Sequence, residues 1–436
     1  MTLDPREPAL QPEESPVSTI QAFVLAGGRG EQLGVITKHR SMAAVPFGGR
    51  YRIIDFTLSN CVNSRVHSVY VAAQYAPRSL QEHLGLGRPW DLDRRDGGVC
   101  ILLPYTGRTD SFWYRGTADA LYRNLDMLMA RDSEMTLVLS GDQVYRMNYG
   151  EMIRQHRRHR SRVTIAVKSV PEADVGRFGM VGVEGTRVTR FEEKPATTDL
   201  RLASLGIYLF ETEYLMQRLR EVVPAGRYDL VLDMLIPAVR EGEVTAHIFE
   251  GFWEDVGELD TYYNTNRSLL PAASSYIMDR RRPVYTQSEE RPPAKFGATA
   301  SVHDSIIANG CRIFGHVERS ILFPGVLVGE GSVVRDSILF SEASVYRHAR
   351  VVRSILDKRV VVGDGVVLGH DEPAEASLGR LADSEVVVHT REGLTVVGKF
   401  TRILAGFDCR RPVMLDSHLS EDAVRAGLGI LSGVSA

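Results

Sequence analysis

The six residues Leu25–Gly30 (LAGGRG) follow directly on an apolar run, Ala22–Ala26 (AFVLA), that reads as a buried strand. Glycines at such a turn let the backbone approach a phosphate closely, and their N–H groups can cradle it. Taken alone, the same turn is also an ordinary chain reversal. The other reactive residue types are less telling. Cys61, Cys100, Cys311 and Cys409 are far apart and form no C-x-x-C pair, so neither a disulfide framework nor a zinc site is expected. The basic run Arg154–Arg162 (RQHRRHRSR) reads as a solvated helix face. With a formal net charge of −3, the chain offers no overall support for a nucleic-acid partner.

The elements that must position the glycine loop alternate in type. Val69–Ala73 (VYVAA), Thr136–Ser140 (TLVLS) and Val163–Val167 (VTIAV) read as further strands, and segments such as Ala118–Ala130 read as helices. This alternation predicts a mostly parallel sheet covered on both faces, with ligands beyond the carboxyl ends of the strands. After Pro271 the pattern changes. Pro283–Phe296 is proline-rich, and from Val302 to Gly369 short β-branched runs replace helical periodicity. A Ser-Ile step recurs at Ser305, Ser320, Ser337 and Ser354, at intervals of fifteen, seventeen and seventeen residues. Three six-residue units make a coil of roughly eighteen residues, so the step predicts one wall of a β-helix. A β-sandwich of unrelated short strands is the alternative. The first residues are polar, proline-rich and acidic, which suits a disordered leader rather than a signal peptide. No apolar stretch approaches the ~20 residues of a membrane span. The expectation is a cytoplasmic protein.

Several segments, taken in order, resemble bacterial ADP-glucose pyrophosphorylases: Gly48–Ser64 (GGRYRIIDFTLSNCVNS), Trp113–Leu121 (WYRGTADAL), Ser140–Tyr145 (SGDQVY), Phe191–Pro195 (FEEKP), Ser204–Phe210 (SLGIYLF) and Trp253–Gly257 (WEDVG). The resemblance runs from about Ala22 to Glu392. It implies a Rossmann-like nucleotidyltransferase domain over 19–271, a leader over 1–18, a linker over 272–300, and a left-handed parallel β-helix with a C-terminal extension over 301–436. It also implies the reaction of ATP with glucose 1-phosphate to give ADP-glucose and pyrophosphate, in glycogen synthesis. Such chemistry depends on positioning and charge neutralisation, with Mg²⁺ as cofactor. The resemblance places Asp142 and Asp255 as catalytic, metal-holding carboxylates; a simple turn is the alternative for each. Leu25, Ala26, Gly27, Gly28, Gly30, Gln74, Gly116 and Thr117 match nucleotide-binding positions. Tyr114, Gly179, Glu193, Lys194 and Ser204 match the sugar-phosphate site, with Lys194 on the phosphate and Glu193 on sugar hydroxyls. A surface ion pair is the alternative for Glu193–Lys194.

The phosphate loop departs from that pattern. Active members read GGRGTRL where this chain has GGRGEQL, so Gln32 replaces an arginine and Glu31 a threonine. Met42 replaces a catalytic lysine and Ala43 a proline. Leu232 stands for another lysine and Glu254 for an arginine. Arg29 and Lys38 survive nearby and could compensate in part. Each lost cation is worth about 10²–10³ in rate where it faces transition-state charge. In plant members of the family, one subunit carries equivalent replacements and serves regulation. Three readings therefore stand: a working adenylyltransferase, a weakly active or regulatory subunit beside an active paralogue, and a sugar-phosphate-sensing scaffold. An acyltransferase on the β-helix ranks below these, because no site is evident around His303, His316, His348 and His370. The resemblance implies phosphorylated effectors bound between the domains, at positions matched by His39, Arg40 and Arg52. His39 replaces a lysine, and a structural ion pair is the alternative for each arginine. It also implies a homotetramer, or a heterotetramer with an active paralogue.

Overall fold

A computed structural model describes residues 20–105, 113–270, 282–381, 384–420 and Val424. The expected leader, residues 272–281 of the linker and nearly all of the extension beyond residue 420 lie outside the described residues.

Ile20–Leu25 is the strand expected before the glycine loop. Ala22, Phe23 and Val24 are each fully buried, so both of its faces must be covered. Ala22 and Val24 pack on one side with Val71, Leu137 and Leu139. Phe23 packs on the other with Tyr70 and Val138. Parallel neighbours flank the strand: Ser68–Ala72, then Gly98–Leu102, on one edge, and Met135–Ser140 on the other. The expectation of a parallel sheet holds for these four strands. Leu202–Glu211 then runs antiparallel to Met135–Ser140, and the nine-stranded sheet continues through Val163–Ser169, Val244–Ile248, Arg187–Glu193 and Gly179–Glu184 with mixed directions. The expected helix over Ala118–Ala130 is two short ones, Thr117–Tyr122 and Leu125–Met129. Between them, the Asn124 amide donates to the Ala120 carbonyl at 2.8 Å and to the Tyr114 hydroxyl at 3.2 Å. That local bonding competes with the helix backbone.

The second half is three six-stranded parallel sheets, one per wall of a left-handed hexapeptide β-helix. The Ser-Ile steps do stack. Ile306, Ile321, Ile338 and Ile355 are in register. The serines form a ladder, with the N–H of Ser320, Ser337 and Ser354 each donating to the preceding coil's serine Oγ at 3.1 Å. The first rung is Lys295–Phe296, paired with Arg312–Ile313, and the last on the serine wall is Met414–Leu415. A hairpin, Ala376–Gly379 with Val388–Thr390, is inserted before Thr395–Val397.

Side chains on the serine wall alternate. Leu322, Leu339 and Leu356 fill the solenoid. Ile321, Ile338, Ile355, Val396 and Met414 face outward and share a core with Leu33, Val35, Ile36, Met42 and Tyr262. The segment that follows the phosphate loop is therefore packed directly on the β-helix. At Gly34, φ is +57° and a Cβ would stand 2.4 Å from the Met414 sulfur, so the position needs glycine.

Candidate active site

The two candidate carboxylates are brought together by a two-stranded ladder. Trp253–Asp255 pairs antiparallel with Gln143–Tyr145, setting Asp255 opposite Gln143, the neighbour of Asp142. The Trp253 indole N–H donates to Gln143 Oε1 at 3.0 Å and fixes the ladder. Asp142 accepts a short hydrogen bond from the Ser140 hydroxyl, and Asp255 accepts one from the Gly257 N–H at 3.0 Å. Burial first, and the Asp255 charge second, push the Asp142 carboxyl up to about 6. Two carboxylates that repel each other in this way are the donor set a hard divalent cation favours, with phosphate oxygens and water completing its shell. A Cβ on Gly28 would lie 3.7 Å from Asp142 Oδ2, so the glycine loop and the carboxylates line one cleft.

Gln74 and Tyr114 form the next part of the cleft. The Tyr114 N–H donates to Gln74 Oε1 at 2.5 Å, and a Cβ on Gly27 would meet the Gln74 Cβ at 3.3 Å. Gly116 and Thr117 hold the segment around Tyr228. A Cβ on Gly116 would sit 2.4 Å from the Tyr228 carbonyl, and the Thr117 hydroxyl accepts from the Leu230 N–H at 2.9 Å. Through this bond Thr117 holds the Leu230 turn, and its hydroxyl hydrogen remains available to a ligand. Among the residues expected to hold the sugar phosphate, Glu193 lies opposite Gly179 in the antiparallel pair, where a side chain would meet Glu193 Oε2 at 2.9 Å. Burial raises the Glu193 carboxyl, Lys194 lowers it, and Asp229 raises it again. The Lys194 backbone has φ +44° and donates to the Phe178 carbonyl at 3.2 Å. The Ser204 hydroxyl donates to Tyr208 Oη at 3.4 Å, at the bulge where Gly206 approaches Gln143.

The phosphate-loop substitutions acquire definite surroundings. Met42 is 5% exposed in the apolar cluster, and its methyl carbon is 3.7 Å from where a Gly257 Cβ would stand. It fills the space between the loop and the Asp255 turn with an apolar side chain. Gln32 is exposed. Arg29, the surviving cation, pairs with Glu31 at 3.4 Å and lies over the Tyr75 ring. Lys38, the other, pairs with Asp416 of the β-helix at 2.7 Å. Leu232 is 54% exposed. Burial raises the Glu254 carboxyl, opposed first by Arg177.

The three effector candidates separate. His39 stacks edge-on against His418 of the β-helix, with centroids 5.2 Å apart. Arg40 is buried, bonding Asp357 at 2.8 Å and the Ile36 carbonyl at 2.9 Å; this is the structural ion pair held open above. Arg52 bonds the Ser79 carbonyl and hydroxyl and lines a cavity of about 520 Å³ between the domains. Burial, then Arg40, lowers it to about 10. Lys358 and Lys399 are not among the sequence-predicted residues. They occupy one corner of successive coils, each two residues beyond the registered pair Leu356–Val397. Asp357 and Asp416 stand on the same corner, after Leu356 and Leu415, whose coils are joined through Val397. A lysine or aspartate just past an apolar rung was the available signal.

Two family descriptions match the chain: nucleotidyl transferase over residues 21–271, and GlmU-like C-terminal hexapeptide over residues 292–389. Among curated relatives, the glucose-1-phosphate adenylyltransferase of Thermotoga neapolitana is 46% identical over 326 residues, 73% of this chain and 77% of that one. That of Thermomicrobium roseum is 44% identical over 413 residues, 93% of this chain and 95% of that one. That of Acetivibrio thermocellus is 36% identical over 409 residues, 92% and 94% of the two chains. No helix among the described residues is long and apolar enough to cross a membrane.

Proposed function

This chain belongs to the glucose-1-phosphate adenylyltransferase family, and from that premise we propose that its cleft joins ATP and glucose 1-phosphate into ADP-glucose and pyrophosphate. The observation that carries this reading is the pairing of Asp142 with Asp255 beside the glycine loop, in a chain that also keeps Tyr114, Glu193, Lys194 and Ser204. A sugar-phosphate oxygen attacks the α-phosphorus of ATP, the bond to the β-phosphate oxygen breaks, and pyrophosphate leaves. Asp142 and Asp255 would hold Mg²⁺, which when bound neutralises phosphate charge. Gln74, with its carbonyl fixed by the Tyr114 N–H, and the backbone of Leu25–Gly30 orient the nucleotide. Lys194 holds the sugar phosphate, and Glu193 accepts from sugar hydroxyls. The work of the chain is positioning and electrostatics, with no covalent intermediate.

A second reading has its own support. The two surviving cations are engaged, Arg29 by Glu31 and Lys38 by Asp416, while Met42 is apolar and buried. We therefore propose low turnover by this chain alone, with a regulatory role in a homotetramer or beside an active paralogue, in the cytoplasm. Phosphorylated effectors would enter the cavity lined by Arg52 and Lys358. The test is ADP-glucose formation by the purified protein, with Asp142→Asn as the dead control. Mg²⁺-dependent product lost in the control supports the first reading. A rate like that of an active family member sinks the second. No binding of glucose 1-phosphate or ADP-glucose sinks both.

A further inference from the structure

The cavity between the domains contains a lysine in unusual surroundings. Its floor is the Pro46–Arg52 segment and its roof is the β-helix corner carrying Lys358. The Lys358 backbone N–H donates to Asp357 Oδ1 at 2.6 Å, but the side-chain amine has no hydrogen bond or ion pair to any described residue. Arg40 already occupies the Asp357 carboxylate. The charged groups acting on the amine are Arg52, Arg40 and Lys399, with Asp357 the opposing charge. Glu82, His83, Arg50 and Glu289 line the same cavity, and the Lys358 charge also acts on His83. A half-buried ammonium among three cations is disfavoured, and burial, then Arg52, brings Lys358 down to about 7. Near neutral pH a large share of such amines carry a free lone pair, the state in which a lysine is a nucleophile.

We propose that Lys358 is a carbamylation site, whose Nζ takes up carbon dioxide and holds it as a carbamate beside Arg52. The amine lone pair attacks the carbon of CO₂, and a C–N bond forms. One C–O π pair moves onto its oxygen, which becomes the charged carboxylate oxygen, and one N–H proton passes to solvent. No oxidant or reductant is involved. CO₂ is small and uncharged, so neither the apolar wall of Ile306 and Phe323 nor the surrounding cations bar its entry. The product reverses the charge: an anion with two acceptor oxygens replaces an unpartnered amine among Arg52, Arg40 and Lys399. Attraction between such groups is strong when they are drawn out of water. A carbamate there also expels a phosphate, whose binding needs the protonated amine. Dissolved CO₂ and phosphate therefore compete for the cavity, whatever the turnover of the cleft.

The experiment uses the full-length protein equilibrated with ¹³C-bicarbonate and CO₂ at pH 7.5. A trialkyloxonium reagent esterifies carbamates, and the digest is read by mass spectrometry. Lys358 should carry the ¹³C label at an occupancy at least tenfold above exposed Lys295. Millimolar inorganic phosphate should lower that occupancy. At fixed dissolved CO₂, it should rise between pH 6 and 8. Lys358→Arg should lose the label; if that variant misfolds, the wild-type ratio of Lys358 to Lys295 decides. Occupancy at Lys358 equal to that at Lys295, or no label at Lys358, overturns the proposal.

Discussion

Restoring the two missing cations should restore turnover. Gln32 is exposed, so arginine fits there without disturbing the core. Met42 is buried, but its side chain runs toward the Asp255 turn, ending 3.7 Å from a would-be Gly257 Cβ. A lysine can lay its stem along the same path and place its ammonium at the cleft. Each cation aimed at developing pyrophosphate charge is worth about 10²–10³ in rate. The pair shares one substrate, so their effects fall short of the product. Gln32→Arg with Met42→Lys should therefore raise ADP-glucose formation at least about a hundredfold. Glu31 pairs with Arg29 at 3.4 Å and would also draw the new arginine. Adding Glu31→Thr releases both, and the triple variant should be the fastest. The assay is steady-state ADP-glucose formation by wild type, singles, double and triple, with Asp142→Asn as the dead control. A triple variant that binds both substrates yet stays inert refutes the reasoning, and turns attention to Leu232 and Glu254.

Three further outcomes follow from the same contacts. Arg40→Leu leaves the Asp357 carboxylate buried without its partner, which costs about 3–5 kcal/mol; urea unfolding should show this loss, and a milder one when Asp357→Leu is added. Lys358 has an ordinary value of 10.5 and falls to about 7 when folded, so between those values the unfolded chain binds more protons and stability rises with pH. The penalty is full below pH 7, and Lys358→Met should raise the melting temperature more at pH 6 than at pH 9. The outer flank of the β-helix leads us to expect a closed tetramer; a stable monomer by light scattering at micromolar concentration would contradict it.

Legibility in the sequence followed the range of the interaction. The serine wall could be read because one local step recurs each coil, and the ladder from Ser305 to Ser354 repeats one contact. Asp142 and Asp255 could be singled out by their motifs, but not the ladder through Gln143 that sets them side by side. The helix over Ala118–Ala130 was misread as continuous because Asn124 bonds backward to Ala120 and to Tyr114, a side-chain choice that periodicity does not register. The surviving cations looked available in sequence. Lys38 pairs with Asp416, 378 positions away, and the half-exposed Arg29 lies beside the acid two residues on. Arg40 matched an effector position by motif, but its buried pairing with Asp357, 317 positions away, could not be read there.

The central claim is that the sugar-nucleotide half of the cleft is intact while the triphosphate half has lost its charge. Calorimetric titration of wild type in Mg²⁺ with ADP-glucose, and separately with ATP, tests it most directly. The account predicts saturable ADP-glucose binding that Lys194→Ala weakens, and ATP binding well below that of a family member with the intact loop. Normal ATP affinity together with no ADP-glucose binding would contradict it.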